Sequence, residues 1–268
     1  MTGGQVTRWP ATGPATGGPS TWRQVAHVMG MPISLAVRGR HAGDRLGRDA
    51  WAEAVATLRD VDRVFSTYRP DSFVSRLGRD EITLDACPPE VAEVLALGEL
   101  ARHRSQGAFD VRRHGSPPLD PSGVVKGWAV ERAARPLRAL ADTDFSLAAG
   151  GDLVCRMADP SGSPWRVGVE DPHDPGRLVA VVPVRNGAVA TSGLAHRGAH
   201  LVDARTGRVP EGIASVTVVS DDLTWADIDA TAAFAQGRDA LRWLATRAGC
   251  AGLVVWADGS TDTFGEAR

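Results

Sequence analysis

Residues 145–191, FSLAAGGDLVCRMADPSGSPWRVGVEDPHDPGRLVAVVPVRNGAVAT, decide the class of fold. Five short apolar, β-branched runs follow one another here: Phe145–Ala149, Leu153–Arg156, Trp165–Val169, Leu178–Val184 and Ala188–Thr191. Runs of that length and composition, bounded by turn residues such as Gly150-Gly151-Asp152, read as strands. Strand follows strand with no helical segment between them, which argues against a chain of parallel β-α-β units.

Outward from this block, Ala214–Ser220 reads as a further strand, followed by a helix carrying Asp227 and a second helix over about Asp239–Arg247. Ala251–Ala257 and Ser260–Phe264 close as a hairpin around Asp258-Gly259. Towards the N-terminus, Val25–Val37 reads as one strand interrupted at Met29-Gly30-Met31, where the glycine is read as a bulge. Trp51, Val55, Leu58, Val61, Val64 and Phe65 recur at helical spacing and predict an amphipathic helix over Arg48–Phe65, broken by the turn signal Pro70-Asp71. Pro88-Pro89 opens a helix running to about Arg104, ended at Gly107. The Pro- and Gly-rich stretch 112–123 precedes a third helix from about Val124, with Lys126-Gly127 in its first turn, where free backbone N–H groups favour phosphate. Pro136 kinks or ends it. The expectation is an α+β fold with mixed or antiparallel sheets and paired helices. Residues 1–22, rich in Gly and Pro, are expected to be a disordered tail, and 23–268 one domain.

A chain of 268 residues, 43% hydrophobic, can bury a substantial core. Its net charge of −2 gives no electrostatic case for nucleic acid. No apolar run approaches a membrane span, and the start lacks the pattern of a secretion signal or lipid anchor. Cys87, Cys155 and Cys250 are odd in number and scattered, which fits reduced thiols in a cytoplasmic protein better than disulfides or a zinc site. Basic positions are almost all Arg: Lys126 is the sole lysine, as Tyr68 is the sole tyrosine. Where a chain so biased to Arg keeps one lysine, a compact ammonium is indicated.

Chemistry concentrates in residues 191–207, TSGLAHRGAHLVDARTG, together with Asp227 and Thr231. His200 is placed to act as general base towards a hydroxyl, or is a strand histidine that only bonds its neighbours. Asp203–Gly207 is a turn in which Asp203 caps its own backbone, and Arg205 either binds phosphate or is solvated. Asp227 and Thr231, four apart on a helix, offer oxygen to one point, as a hard cation requires. Thr224–Asp227 also matches a capping box, and spacing alone favours that reading.

In order, MGM at 29–31, STYRPDS at 66–72 with Ser75-Arg76-Leu77, GAFD at 107–110, LDPSGVVKGWAVE at 119–131, AAGGD at 148–152, ATSG at 190–193, HLVDARTG at 200–207 and ADIDAT at 226–231 span nearly the whole folded chain. This set resembles the FAD:protein FMN transferase family, the ApbE-type flavin transferases. The resemblance implies that FAD is bound and its pyrophosphate cleaved with Mg²⁺, with FMN passing to a Thr or Ser hydroxyl of an acceptor flavoprotein. It implies His200 as the base, and Asp227, Thr231 and the backbone carbonyl of Gly123 as Mg²⁺ ligands. It implies flavin-binding positions at Met29, Tyr68, Ala108, Phe109, Asp110, Asp120, Lys126 and Leu201.

Departures from the family pattern are Met31 for Thr, Phe73 for an acid, Gly78 for Asn, Val111-Arg112 for Pro-Thr, Glu131 for Asp and Ala204 for Pro. The connection between GAFD and Lys126-Gly127 is also short. None of these removes a proposed ligand. The rival expectations are an FAD pyrophosphatase yielding FMN and AMP, and a protein that stores or delivers FAD without turnover.

Overall fold

The computed structural model describes residues 21–112, 118–194 and 201–265. Ten strands are present among them: β1 (Trp22–Val28), β2 (Met31–Gly39), β3 (Thr143–Ala149), β4 (Asp152–Arg156), β5 (Trp165–Asp171), β6 (Asp174–Val184), β7 (Gly187–Gly193), β8 (Ile213–Ser220), β9 (Ala251–Trp256) and β10 (Thr261–Phe264). The helices are α1 (Arg45–Phe65), α2 (Phe73–Gly78), α3 (Pro89–Arg104), α4 (Ser122–Ala133), α5 (Arg135–Arg138), α6 (Leu223–Ala235) and α7 (Ala240–Leu244). Eight strands form one sheet in the order β1-β2-β3-β4-β7-β8-β9-β10, and β5-β6 form a separate ribbon. Every pairing is antiparallel, so the expected α+β class holds.

Alternation along the central strands explains the layering. Successive side chains of a strand point to opposite faces. In β4, Val154 joins the core under the helices, whereas Leu153 and Cys155 join a smaller apolar cluster under the ribbon. In β7, Ala188 and Ala190 face the helices, and Val189 packs with Val169, Val182 and Val184 of the ribbon. One face of the sheet is thus covered by helices and the other by β5-β6 where β4 and β7 cross beneath it. Arg38 of β2 fastens the ribbon from the side: its guanidinium stacks 3.9 Å from the Trp165 ring centroid and bonds Asp144 at 3.1 Å.

Several boundaries differ from the sequence expectation, most for a local reason. The first strand is in fact a hairpin, because Met29 and Gly30 both take positive φ (56° and 72°) and register Val28 against Met31. That is the backbone of a two-residue hairpin turn of the primed kind, not a bulge. α1 begins at Arg45, three residues early, because Asp44 caps it by accepting the Gly47 N–H at 2.9 Å. α4 begins at Ser122, whose N–H bonds Asp120 Oδ1 at 3.1 Å, so Lys126 lies in the second turn and not the first. β1 begins at Trp22, one residue inside the expected tail. No helix among the described residues is long and apolar enough to cross a membrane.

Candidate active site

α4 and α6 lie side by side, and small residues let them meet. Gly123 and Gly127, one turn apart on α4, face Thr231 and Asp227, one turn apart on α6. A Cβ on Gly127 would stand 2.6 Å from the Leu223 carbonyl oxygen and 2.8 Å from Asp227 Cβ. A Cβ on Gly123 would stand 2.8 Å from the Phe109 ring and 3.7 Å from the Thr231 methyl. Only glycine permits this approach, and it brings the oxygens of Asp227 and Thr231 against the start of α4.

Asp227 is fully enclosed by this contact. Its Oδ2 accepts the Gly127 N–H at 2.9 Å, and its Oδ1 lies 3.3 Å from Lys126 Nζ. The helix is capped instead by Asp222, which accepts the Trp225 N–H at 3.0 Å. The capping-box reading of Asp227 is therefore corrected: a carboxylate in the middle of α6 caps nothing and points across to α4. One turn on, Thr231 Oγ1 is 3.0 Å from Ser192 Oγ of β7.

Lys126 reaches between two acids. Its Nζ lies 2.6 Å from Asp152 Oδ2 at the start of β4 as well as beside Asp227. Burial alone would lower the lysine pKa, but Asp227 and Asp152 together hold it above the ordinary value, so Lys126 is a cation. Burial pushes the Asp227 carboxyl up, and the Asp152 charge adds to the rise against the opposing pull of Lys126 and the Gly127 N–H.

Above this floor opens a cavity of about 500 Å³, within the range of small-molecule sites. Ala108, Phe109, Asp110, Asp120, Gly123, Lys126, Leu201, Asp227 and Thr231 all line it. Its far wall is the end of β5, Gly168–Asp171, with Pro172 of the ribbon turn, and its near wall includes Thr191–Gly193 of β7. Met29 and Tyr68 do not line it: Met29 packs its side chain towards the core, and Tyr68 is 96% exposed beyond the end of α1. His200 lies outside the described residues, as does His196. The Asp203–Gly207 turn forms as expected, with the Arg205 and Gly207 N–H groups bonded to Asp203 at 2.9 and 2.7 Å. The Arg205 side chain forks onto the same carboxylate at 2.9 and 3.0 Å.

Asp152 and Ser192 are the site residues that sequence reasoning passed over. Asp152 reads as the polar end of a Gly-Gly-Asp turn, yet it is wholly buried. A lone acid opening an apolar strand was the available signal.

The donors fit a hard cation. A carboxylate, a hydroxyl and a main-chain carbonyl are all oxygen, and the buried set of Asp152, Asp227 and Lys126 carries a formal charge of −1 that a divalent ion would offset. Among the described residues no three His, Cys, Asp or Glu side chains cluster as a metal cage. A sparse protein donor set matches Mg²⁺, which keeps waters and takes further ligands from substrate phosphates.

A helix-backed antiparallel sheet, with an ammonium and an oxygen-rich floor beneath a cavity, defines an α+β protein with a candidate small-molecule site. The profile of the ApbE family matches residues 29–115 and 111–254. This chain belongs to the ApbE family. It is 34% identical to an FAD:protein FMN transferase of Rhodobacter capsulatus over 160 residues, covering 56% of this chain and 30% of that protein. It is 29% identical to one of Haemophilus influenzae, covering 70% of this chain and 72% of that protein. Among solved structures, the ApbE protein of Thermotoga maritima superposes with a TM-score of 0.76 at 20% identity, covering 91% of this chain and 96% of that one. The apo flavinyl transferase ApbE of Pseudomonas stutzeri gives 0.74 at 22% identity, covering 91% and 95%.

Proposed function

We propose that this chain is a Mg²⁺-dependent FAD:protein FMN transferase, which cleaves the FAD pyrophosphate and joins FMN through its phosphate to a Thr or Ser hydroxyl of an acceptor flavoprotein. The acceptor O–H oxygen forms the new P–O bond, the bridging P–O bond breaks, and AMP leaves. The observation that carries the reading is the buried Lys126–Asp227 pair, with Thr231 and Gly123 beside it, at the floor of the cavity.

Phosphoryl transfer asks a protein mainly for positioning and charge neutralisation. Lys126, held cationic, answers negative charge on the pyrophosphate. Asp227, Thr231 and the Gly123 carbonyl would hold Mg²⁺, whose chemistry there is to withdraw charge from the phosphate oxygens. Phe109, packed over Gly123, and Leu201 give the cavity apolar surface for an aromatic ring. Asp110 and Asp120 are turned partly inward, their Oδ1 atoms occupied by the N–H groups of Arg112 (2.8 Å) and Ser122 (3.1 Å). His200, by its place in the family motif, takes the acceptor proton. His200→Ala is then expected to slow transfer about 10²–10⁴-fold, measured as flavinylation rate at saturating FAD. Free thiols at Cys87, Cys155 and Cys250 support work in the reducing cytoplasm.

The test is to incubate the purified chain with FAD, with and without Mg²⁺, and a peptide bearing a target Thr, then quantify AMP and modified peptide by chromatography. Mg²⁺-dependent AMP together with flavinyl-peptide is expected. AMP with free FMN alone would make it a pyrophosphatase, and uncleaved bound FAD a storage or delivery protein.

A further inference from the structure

Asp152 sits one layer beneath the cavity, and its two oxygens serve different partners. Oδ1 accepts the Thr191 N–H at 3.1 Å, tying the start of β4 to β7. Oδ2 is sealed from solvent and faces the ammonium of Lys126 at 2.6 Å. Lys126 is nearer to Asp152 than to Asp227, which it approaches at 3.3 Å.

That difference matters for a cation. An ammonium on a flexible four-carbon stem settles on whatever buried carboxylate it can reach. With Asp227 as its sole counter-charge, Lys126 would occupy the carboxylate that the proposed Mg²⁺ needs, and each binding event would have to displace it. A second carboxylate at shorter range removes that competition. It leaves the three groups with a formal charge of −1, which favours a divalent ion joining the ammonium over an exchange of one for the other.

We infer that Asp152 is a positioning residue that anchors Lys126 away from Asp227, so that ammonium and metal ion occupy the cavity floor together. The inference rests on the proposed metal reading of Asp227 and Thr231.

A double-substitution cycle on the whole chain tests it, with Mg²⁺ binding measured by calorimetry in the absence of flavin. Asp152→Asn keeps an oxygen for the Thr191 N–H and loses the charge. With Lys126 present, Asp152→Asn is expected to weaken Mg²⁺ binding about 10–100-fold, the usual effect of losing a residue that orients a ligand. In the Lys126→Gln background the same change is expected to cost less than about threefold, because nothing remains for Asp152 to hold. Equal losses in both backgrounds would show a general charge effect and overturn the anchor, as would no loss in either.

The sole lysine supplies a readout independent of any substitution. Lysine-selective labelling gives one ammonium signal, that of Lys126, expected to stay protected from solvent exchange both before and after Mg²⁺ saturation. Loss of protection on adding Mg²⁺ would mean that the ion displaces Lys126, and would overturn the inference even if Asp152→Asn fails to fold. Absence of Mg²⁺ binding by the unsubstituted chain both without flavin and with FAD added would overturn the metal reading itself, and the anchor with it.

Discussion

At the scale of single residues, Met29 shows a local rule being broken. A long side chain at φ 56° sits in the left-handed region, which costs about 1–2 kcal/mol for an L-residue. Asn is the ordinary choice before Gly in such a turn. Strain of this kind persists where a side chain has another task, and the family motif makes flavin binding the task we propose for Met29, although its side chain does not line the cavity described above. Met29→Asn is expected to keep or raise the thermal midpoint while weakening FAD binding in a fluorescence titration. A less stable variant with unchanged FAD affinity would make Met29 a packing residue only. Cys155 poses the opposite case, a thiol whose surroundings make it inert. Burial pushes it up to about 12, so the folded protein keeps it as a neutral thiol where the unfolded chain would ionise. The sign follows: stability from this group is complete below the ordinary thiol value and falls as pH rises from about 9 towards 12. At pH 8 in native protein, Cys155 is expected to resist alkylation while the less buried Cys87 and Cys250 react first, as read by peptide mass mapping. Rapid native labelling of Cys155 would contradict its burial between sheet and ribbon.

Elements show where sequence reasoning reached and where it stopped. Strand positions and both long N-terminal helices were legible, because period-2 and period-3.6 apolar patterns survive whatever the tertiary packing. The Asp227/Thr231 pairing was legible too, since residues four apart on a helix must share a face. Which neighbour they face was not, because Gly127 carries no pattern of its own until α6 is seen against it. The capping reading of Asp227 failed for a related reason: Asp222, two residues before Thr224, competes for the same helix start, and spacing alone cannot rank two caps. The hairpin at Met29-Gly30 was missed because Met at positive φ is rare enough to be discounted. The α4–α6 contact yields a prediction of its own. Gly127→Ala places a methyl 2.6 Å from the Leu223 carbonyl oxygen and 2.8 Å from Asp227 Cβ. It is expected to cost about 1–3 kcal/mol in denaturant unfolding, as overpacking does, and to lower Mg²⁺ affinity by shifting Asp227. A variant as stable as the parent would show that the helices have room to separate.

For the whole molecule, the antiparallel order of eight strands puts β4 and β7 side by side although 30 residues of ribbon and turns come between Arg156 and Gly187. That insertion carries the far wall of the cavity, Gly168–Pro172, while α4 and α6 bring its floor from opposite halves of the chain. The site is therefore a property of the assembled sheet, which explains why Asp152 was invisible as a site residue in the sequence: its partners Lys126 and Thr191 lie 26 and 39 positions away. Family motifs conveyed these residues only as an ordered set, and the structure places them around one cavity, save Met29 and Tyr68, which do not line it, and His200, which lies outside the described residues. In the proposed function, Asp227 makes this cavity a metal-assisted site for cleaving FAD. That role is tested most directly by comparing Asp227→Ala with the parent chain for Mg²⁺-dependent AMP release from FAD, with FAD binding measured on the same samples. AMP release is expected to be abolished while FAD still binds. AMP release at the parental rate would contradict that role.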